Sequence, residues 1–467
     1  MTDVLKEIAG AVSHAPDRVA LTGAGGSWTY ADLDRAAREV ATRLRAAGLR
    51  PGDGVVVRAR LSAWAVVAML GTLHAGGRHV AVDTAFPVAR QELMTELSGA
   101  RLMLREPDDE PVALAGVVPD GVPGTAYTCF TSGSTGRPKR VDVPHACLGF
   151  STAARLRHYA GPVRGFLLCS SISFDSAMAG IYWTLAAGGT LIVPSDRPAD
   201  LVAVARAAQR HEATHLLMIP SLYRLLVSGG LSGMLGSLRT VVVAGESCPP
   251  GLVAAHYAAL PETALHNEYG PTECTVWSTV HDCVPADAEA SPVPIGRPLP
   301  GTSARVCDDE GREVPPGTPG ELWIEGPHVA APNAGRAYRT GDLARVRPDG
   351  ALEFRGRADD QVKLGGMRVE LGEIEHVLLR HGSVAAVAVG VAGRHEPRPR
   401  LVAWVVAAAG AVPAPAVLRE HARRHLPAAA VPARVVVVDQ LPVQPNGKVD
   451  RRRLAELTAA LPVREPA

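Results

Sequence analysis

The sequence predicts an α/β protein. A large N-terminal domain of layered, mostly parallel sheets with helices carries a β-rich subdomain, and a small α+β C-terminal domain follows. Three observations predict it. β-branched runs alternate with helix-spaced apolar residues through the first half of the chain. From about residue 290 this gives way to Gly/Pro turns and short strands. After Gly356-Arg-Ala-Asp-Asp360 a separate helix and strand set begins.

The elements follow in order. Within residues 28–50, Leu33, Ala36, Ala37, Val40 and Leu44 share one helical face. Val55–Val57, His79–Val82 and Leu102–Leu104 read as strands, with a helix at Trp64–His74. Ala126–Phe130, Gly165–Cys169, Gly189–Val193, His215–Ile219 and Thr240–Val243 continue the buried strands. Gly320–Glu325 and Ala351–Phe354 belong to the β-rich part. The last unit reads as a helix at Glu373–His381, strands at Val384–Val391 and Leu401–Ala407, a helix at Pro415–His425 and a strand at Arg434–Val438. The division expected is an N-terminal core over 1–357 and a C-terminal domain over 358–467.

Composition excludes several function classes. In 467 residues, 47% are hydrophobic and 20% charged, enough to bury a large core. The net charge is +1, without the basic excess expected of a nucleic-acid binder. No run of apolar residues is long enough for a membrane span, and the N-terminus has no secretory pattern. Seven scattered cysteines without a CxxC pair argue against a disulfide framework or a zinc site. A soluble, cytoplasmic protein is expected. Only four of the 48 basic residues are lysine: Lys6, Lys139, Lys363 and Lys448. The last three sit in or near Gly-containing turns, which suits sites shaped for a compact ammonium. Codon bias accounts for the arginine excess equally well.

Three segments carry chemistry. Thr131-Ser-Gly-Ser-Thr-Gly-Arg-Pro-Lys139 offers close backbone N–H groups, hydroxyls and a cation, the means of cradling phosphates. It lacks the Gly-Lys-Ser/Thr of a Walker loop, and a Ser/Gly-rich solvent loop fits the same residues. In Asn267-Glu-Tyr-Gly-Pro-Thr-Glu273 the tyrosine can stack on a base and the last carboxylate can hold a hard cation. In Tyr338-Arg-Thr-Gly-Asp-Leu343 the carboxylate can accept from a ribose diol. Each of these two is also compatible with an ordinary turn.

Two further segments complete an ordered set: the run Gly356–Glu375, with Asp-Gln-Val-Lys-Leu-Gly-Gly at its centre, and Pro445-Asn-Gly-Lys-Val-Asp-Arg451. The set resembles the adenylate-forming enzyme superfamily. Within it, the match is to free-standing amino-acid adenylation domains of the nonribosomal peptide synthetase type, from about Trp28 to Arg451. The resemblance implies ATP and Mg2+ and a mobile C-terminal lid. Thr131, Ser132, Gly133, Ser134, Thr135, Gly136 and Lys139 would hold the ATP phosphates. Asn267 and Tyr269 would hold adenine, with Gly245, Glu246, Ser247, Gly270, Thr272 and Phe354 around them. Glu273 would ligate the metal, Asp342 the ribose, and Arg357 a ribose or phosphate oxygen. Lys448 would be the catalytic lysine between substrate carboxylate and α-phosphate, and Asp359 the hinge.

The resemblance places Asp175, in Phe174-Asp-Ser-Ala-Met-Ala-Gly180, where amino-acid-activating members pair a carboxylate with the substrate ammonium. A helix N-cap is the alternative reading of Asp175. Ser176, Ala179, Leu217, Val242, Ala244, Glu268, Val276, Trp277 and Lys448 match the rest of the substrate pocket. Small Ser176 and Ala179 imply an open floor and a mid-sized or tyrosine-like side chain, whereas Trp277 fills one wall. Departures from the pattern are Arg140 after Lys139, Ser-Ala after Asp175, Gly365, and a shortened segment between Val329 and Tyr338. Neither a carrier segment nor a condensation motif is present in the sequence, so a separate phosphopantetheinylated carrier protein is the expected partner, with neither nucleic acid nor membrane involved. The expected reaction is ATP-dependent aminoacyl-AMP formation with release of pyrophosphate, then transfer to the carrier thiol. An aryl or acyl acid–CoA ligase of the same superfamily is the alternative. A P-loop NTPase and a catalytically dead scaffold fit less well.

Overall fold

The computed structural model describes residues 3–107, 109–115, 121–133, 137–197, 199–290, 292–330, 337–357, 361–393, 399–442 and 449–459. The chain forms two compact units. The first comprises Met1–Thr84, Met94–Phe130 and Arg140–Ala358; the second comprises Ala85–Leu93, Thr131–Lys139 and Asp359–Ala467. No described helix is long and apolar enough to cross a membrane.

Two large sheets build the first unit. In the nine-stranded sheet, Val19–Gly23, Thr190–Ile192, Gly165–Leu167, His215–Met218, Thr240–Ala244 and Ala264–Tyr269 run parallel. Antiparallel strands close its edges, Thr279–Cys283 among them. A six-stranded sheet pairs Gly54–Ala59 in parallel with Arg78–Asp83 and Ala100–Leu104. Four antiparallel strands, Ser303–Cys307, Gly320–Glu325, Tyr338–Val346 and Leu352–Arg357, form the β-rich part.

Local sequence explains the helices. Tyr30–Ala46 starts at a capping box in which Thr29 and Asp32 satisfy each other's backbone N–H. Leu33, Ala37, Val40 and Leu44 are buried along it, as their spacing predicts, while Ala36 is only partly buried. The expected strands are present with ends shifted by up to three residues, as at Gly165–Leu167, Thr190–Ile192 and Leu352–Arg357. Helices at Val4–His14 and Val88–Leu97 and the hairpin Val19–Gly23 with Gly26–Thr29 were not apparent from periodicity.

Alternation along the parallel strands separates two cores. Leu217 pairs with Val242, Val242 with His266, and Ala244 with Glu268, so these side chains share one face. Leu217 and Val242 pack there with Trp183 and Trp277. Leu216, Met218, Val241 and Val243 line the opposite face, under Leu201–Arg210, Pro220–Ser228 and Pro250–Ala259.

In the second unit, Val384–Ala392, Arg400–Ala407 and Arg434–Val438 form a three-stranded sheet beside the two-stranded Gln361–Leu364 and Met367–Glu370. Helices Leu371–Leu379 and Pro415–His425 share its core. Arg90 and Glu373, far apart in sequence, form a buried ion pair within this unit.

Candidate active site

The first cluster of site residues lies where Ala264–Tyr269 meets the β-rich part. Asn267 is buried, and its Nδ2 donates to the Pro294 carbonyl at 2.7 Å. The Tyr269 hydroxyl donates to Asp342 Oδ2, and Arg357 pairs with Oδ1 of the same carboxylate. Thr340 Oγ1 accepts from the Asp342 N–H at 3.0 Å. Asp342 is thus held from both sides by a phenol and a guanidinium, which fixes its oxygens for further donors. Phe354 lies 6.4 Å from the Tyr269 ring, centroid to centroid. Gly270 is required by a close approach: a Cβ there would sit 2.5 Å from Trp277 Cα. Gly245 has φ +85°, and the Glu246 carboxylate beside it accepts from the Ser221 N–H at 3.0 Å, at the start of a helix. Ser247 is exposed.

Two carboxylates form the second cluster. Asp175 opens the helix Asp175–Ala186, whose N-cap is Phe174. Its carboxylate accepts from Thr272 and from the Ser176 N–H, so its role is not that of an N-cap. Burial is the largest influence and raises its pKa above the ordinary range; the Glu273 charge adds to the rise, and Arg155 opposes it. Glu273 is buried on the short 3-10 turn Thr272–Cys274, where its carbonyl accepts from Ala330 N–H at 2.8 Å. Glu273, a buried carboxylate whose charge bears on the partly buried Asp175, is a donor suited to a hard cation such as Mg2+.

The third cluster covers the sheet face bearing Leu217, Val242, Ala244 and Glu268. Both oxygens of Glu268 are engaged: Arg155 grips them bidentately, with NH2 to Oε2 at 2.9 Å, and the Tyr159 hydroxyl donates to Oε1. Arg155 also stacks on Trp277, its guanidinium carbon 4.4 Å from the ring centroid. Trp277 is fully buried, and its Nε1 donates to Ser151 Oγ at 3.1 Å. Thr275 and Val276, just before it, have φ of +53° and +79°. Such values are strained for β-branched residues. The strain is braced by Ser151 Oγ donating to the Thr275 carbonyl and Thr275 Oγ1 donating to the His328 carbonyl. Ala179 is buried and Ser176 partly so, on the helix that starts at Asp175.

Arg155, Tyr159 and Ser151 were not apparent in the sequence, because they lie on a helix, His145–His158 and its C-cap, whose last turn reads as an ordinary basic end. Glu268 carried the signal: a carboxylate on a strand otherwise buried calls for a countercharge elsewhere.

Of the proposed phosphate loop, Thr131 ends a strand, and Ser132 Oγ donates to the Arg368 carbonyl at 2.6 Å, all within the second unit. A Cβ on Gly133 would meet the Arg137 carbonyl at 2.1 Å, so this turn requires glycine. Lys139 opens the strand Lys139–Pro144 and is exposed. Arg140, unusual after it, pairs with Asp142 at 2.9 Å. Ser134, Thr135, Gly136, Asp359 and Lys448 lie outside the described residues.

Comparison with known proteins bears out the resemblance to adenylate-forming enzymes. The AMP-binding enzyme family matches residues 8–121 and 119–332, and the AMP-binding enzyme C-terminal domain matches 373–448. The chain belongs to the AMP-binding enzyme family. It is 37% identical over 508 aligned residues to phosphinothricin tripeptide synthetase PhsB of Streptomyces viridochromogenes, covering 98% of this chain and 42% of PhsB. The chain thus spans less than half of that synthetase. The amide bond synthetase McbA from Marinactinospora thermotolerans is similar in structure, with TM-score 0.86 and 28% identity over 98% of this chain and all (100%) of that one. So is holo-PA1221, a nonribosomal peptide synthetase protein containing adenylation and carrier domains, with TM-score 0.81 and 27% identity over 97% of this chain and 84% of that one.

Proposed function

We propose that this chain activates an amino acid as aminoacyl-AMP and passes the aminoacyl group to the phosphopantetheine thiol of a carrier protein. The observation that carries the reading is Asp175. A carboxylate with its pKa raised by burial is costly while ionised, and a substrate ammonium would offset that cost. An acid without an amino group has nothing to give it.

In this reading Asn267 and Tyr269 hold adenine and Asp342, fixed by Tyr269 and Arg357, accepts from the ribose hydroxyls. A substrate carboxylate oxygen attacks the α-phosphorus while the bond to pyrophosphate breaks. Lys448 supplies the cation between the two anions. Glu273 would hold Mg2+, which supplies neutralising charge to the phosphates when bound. The thiol sulfur then attacks the acyl carbon and AMP leaves. Residues 1–357 are assigned to the core, 358–467 to a lid, and Asp359 to the pivot between the two half-reactions.

The acceptor is a separate question, since the similar McbA is an amide bond synthetase. Amino-acid-dependent pyrophosphate exchange over a panel of amino, aryl and fatty acids tests the first half. Supplying holo-carrier, coenzyme A or amines then tests the second. Exchange with plain acids alone would overturn the amino-acid reading. Product only with coenzyme A or amines would overturn the carrier.

A further inference from the structure

His158, His266 and Asp282 bring three ligand atoms within 4.8 Å of one another, apart from the nucleotide and carboxylate corners. His158 ends the helix His145–His158; His266 and Asp282 are directly opposed on neighbouring antiparallel strands. Both rings aim at one oxygen: His266 Nδ1 is 2.7 Å and His158 Nε2 is 3.2 Å from Asp282 Oδ1. The rings are held by aromatic edges. Tyr159 meets His158 and His266 at 4.8 Å each, and Trp277 meets His158 at 5.9 Å. Asp282 is 66% exposed, so the cluster opens to solvent on its carboxylate side.

We propose that this cluster is a binding site for a divalent transition-metal ion of the zinc class, with two imidazole nitrogens, one carboxylate oxygen and a water as the fourth ligand. Zinc takes nitrogen ligands at about 2.0–2.1 Å in a tetrahedron, and three preorganised donors with an open fourth position match that set. Metal binding at Nδ1 moves the ring proton to Nε2 or to solvent. Nearby, His281, Cys283 and Asp287 form a second group. There Asp287 already accepts from His281 and from the Val284 N–H, and the Cys283 thiol is pushed up by its hydrogen bond to Cys248 and by burial. It is a poor competitor. An ion at the first site would clip the helix carrying Arg155 to the strand carrying Glu268.

The test uses the full chain, stripped with a chelator and titrated with Co2+ and Zn2+. One equivalent of Co2+ should give the strong visible bands of a tetrahedral site without a thiolate charge-transfer band, and Zn2+ should displace it and raise the melting temperature. His158→Gln and Asp282→Asn should each weaken binding by more than about tenfold, since losing a ligand costs more than losing an outer-shell partner. His281→Gln should leave it unchanged. Absence of a tetrahedral spectrum in the wild type, a thiolate band, or unaltered affinity in both ligand variants would overturn the site. The wild-type spectrum decides the matter even if a variant fails to fold.

Discussion

Arg155 and Glu268 form a bidentate ion pair in which neither side chain is more than 1% exposed. The pair serves a packing purpose as well as an electrostatic one, because the same guanidinium covers Trp277. Removing one partner leaves a buried charge uncompensated, at a cost of about 3–5 kcal/mol, whereas replacing both with apolar groups is often neutral. Glu268→Leu alone should therefore lower the urea midpoint sharply, and Arg155→Met with Glu268→Leu should recover most of the loss. A single variant as stable as the wild type would show that the pair is not sealed from water.

Asp175→Asn is expected to separate stability from activity. The raised pKa means that Asp175 contributes to stability below the ordinary carboxylate range and that this is lost as pH rises through its folded value. At neutral pH the ionised group is a liability. The variant should unfold later than the wild type at neutral pH, by a margin that vanishes in acid, while on the proposed amino-acid reading its substrate KM rises at least about tenfold. Equal stability at every pH, or an unchanged KM, would contradict this.

Val276→Gly should relieve a positive φ that costs on the order of 1–3 kcal/mol. Glycine loses roughly 0.5–1 kcal/mol of that gain through the freedom of the unfolded chain. Val276 also packs against the core, and losing its side chain costs up to about 1.5–3 kcal/mol, so no net stabilisation is expected, while poorer substrate discrimination follows if Trp277 lines the proposed pocket and is less firmly placed. Denaturant unfolding and a substrate panel on one preparation check both parts.

Acid should weaken the first unit through its buried neutral histidines. Burial holds His79 near 3 and His215 and His328 near 4, from an ordinary 6.5. A lowered pKa gives stability that is present above the unfolded value and lost as pH falls toward the folded one. A tenfold difference in proton affinity between the folded and unfolded chain corresponds to about 1.4 kcal/mol. Unfolding free energy should fall steadily between about pH 6.5 and about pH 4, with a shallower slope in His328→Gln. A flat profile across that window would exclude the buried neutral rings as its cause.

The layered parallel architecture was legible because buried strands such as Thr240–Ala244 are nearly pure β-branched runs. Tyr269 and Asp342 could be grouped in one candidate site because they sit in segments whose order is distinctive. Their direct hydrogen bond was not legible, since 73 residues separate them and only the sheet brings them together. Helix Val88–Leu97 escaped notice because its residues do not form an apolar stripe. Arg155 escaped for the opposite reason: in sequence it is one basic residue among several, and only burial distinguishes it.

Asn267 and Glu268 are consecutive on one strand, yet they project to opposite sides of the nine-stranded sheet, one in the row of Val243 and His281, the other in that of Ala244 and Val280. Even and odd positions of this strand therefore answer to different chemical demands. Point substitutions at Ala244 or Val242 would alter the face proposed to meet the substrate while leaving the Asn267 face undisturbed. Insertions and deletions have no such freedom. Adding one residue to the strand would exchange the two sets of side chains at once, displacing Asn267 and Glu268 together. Diversification of this enzyme by natural drift or by a designer is thus confined to replacement within a fixed register.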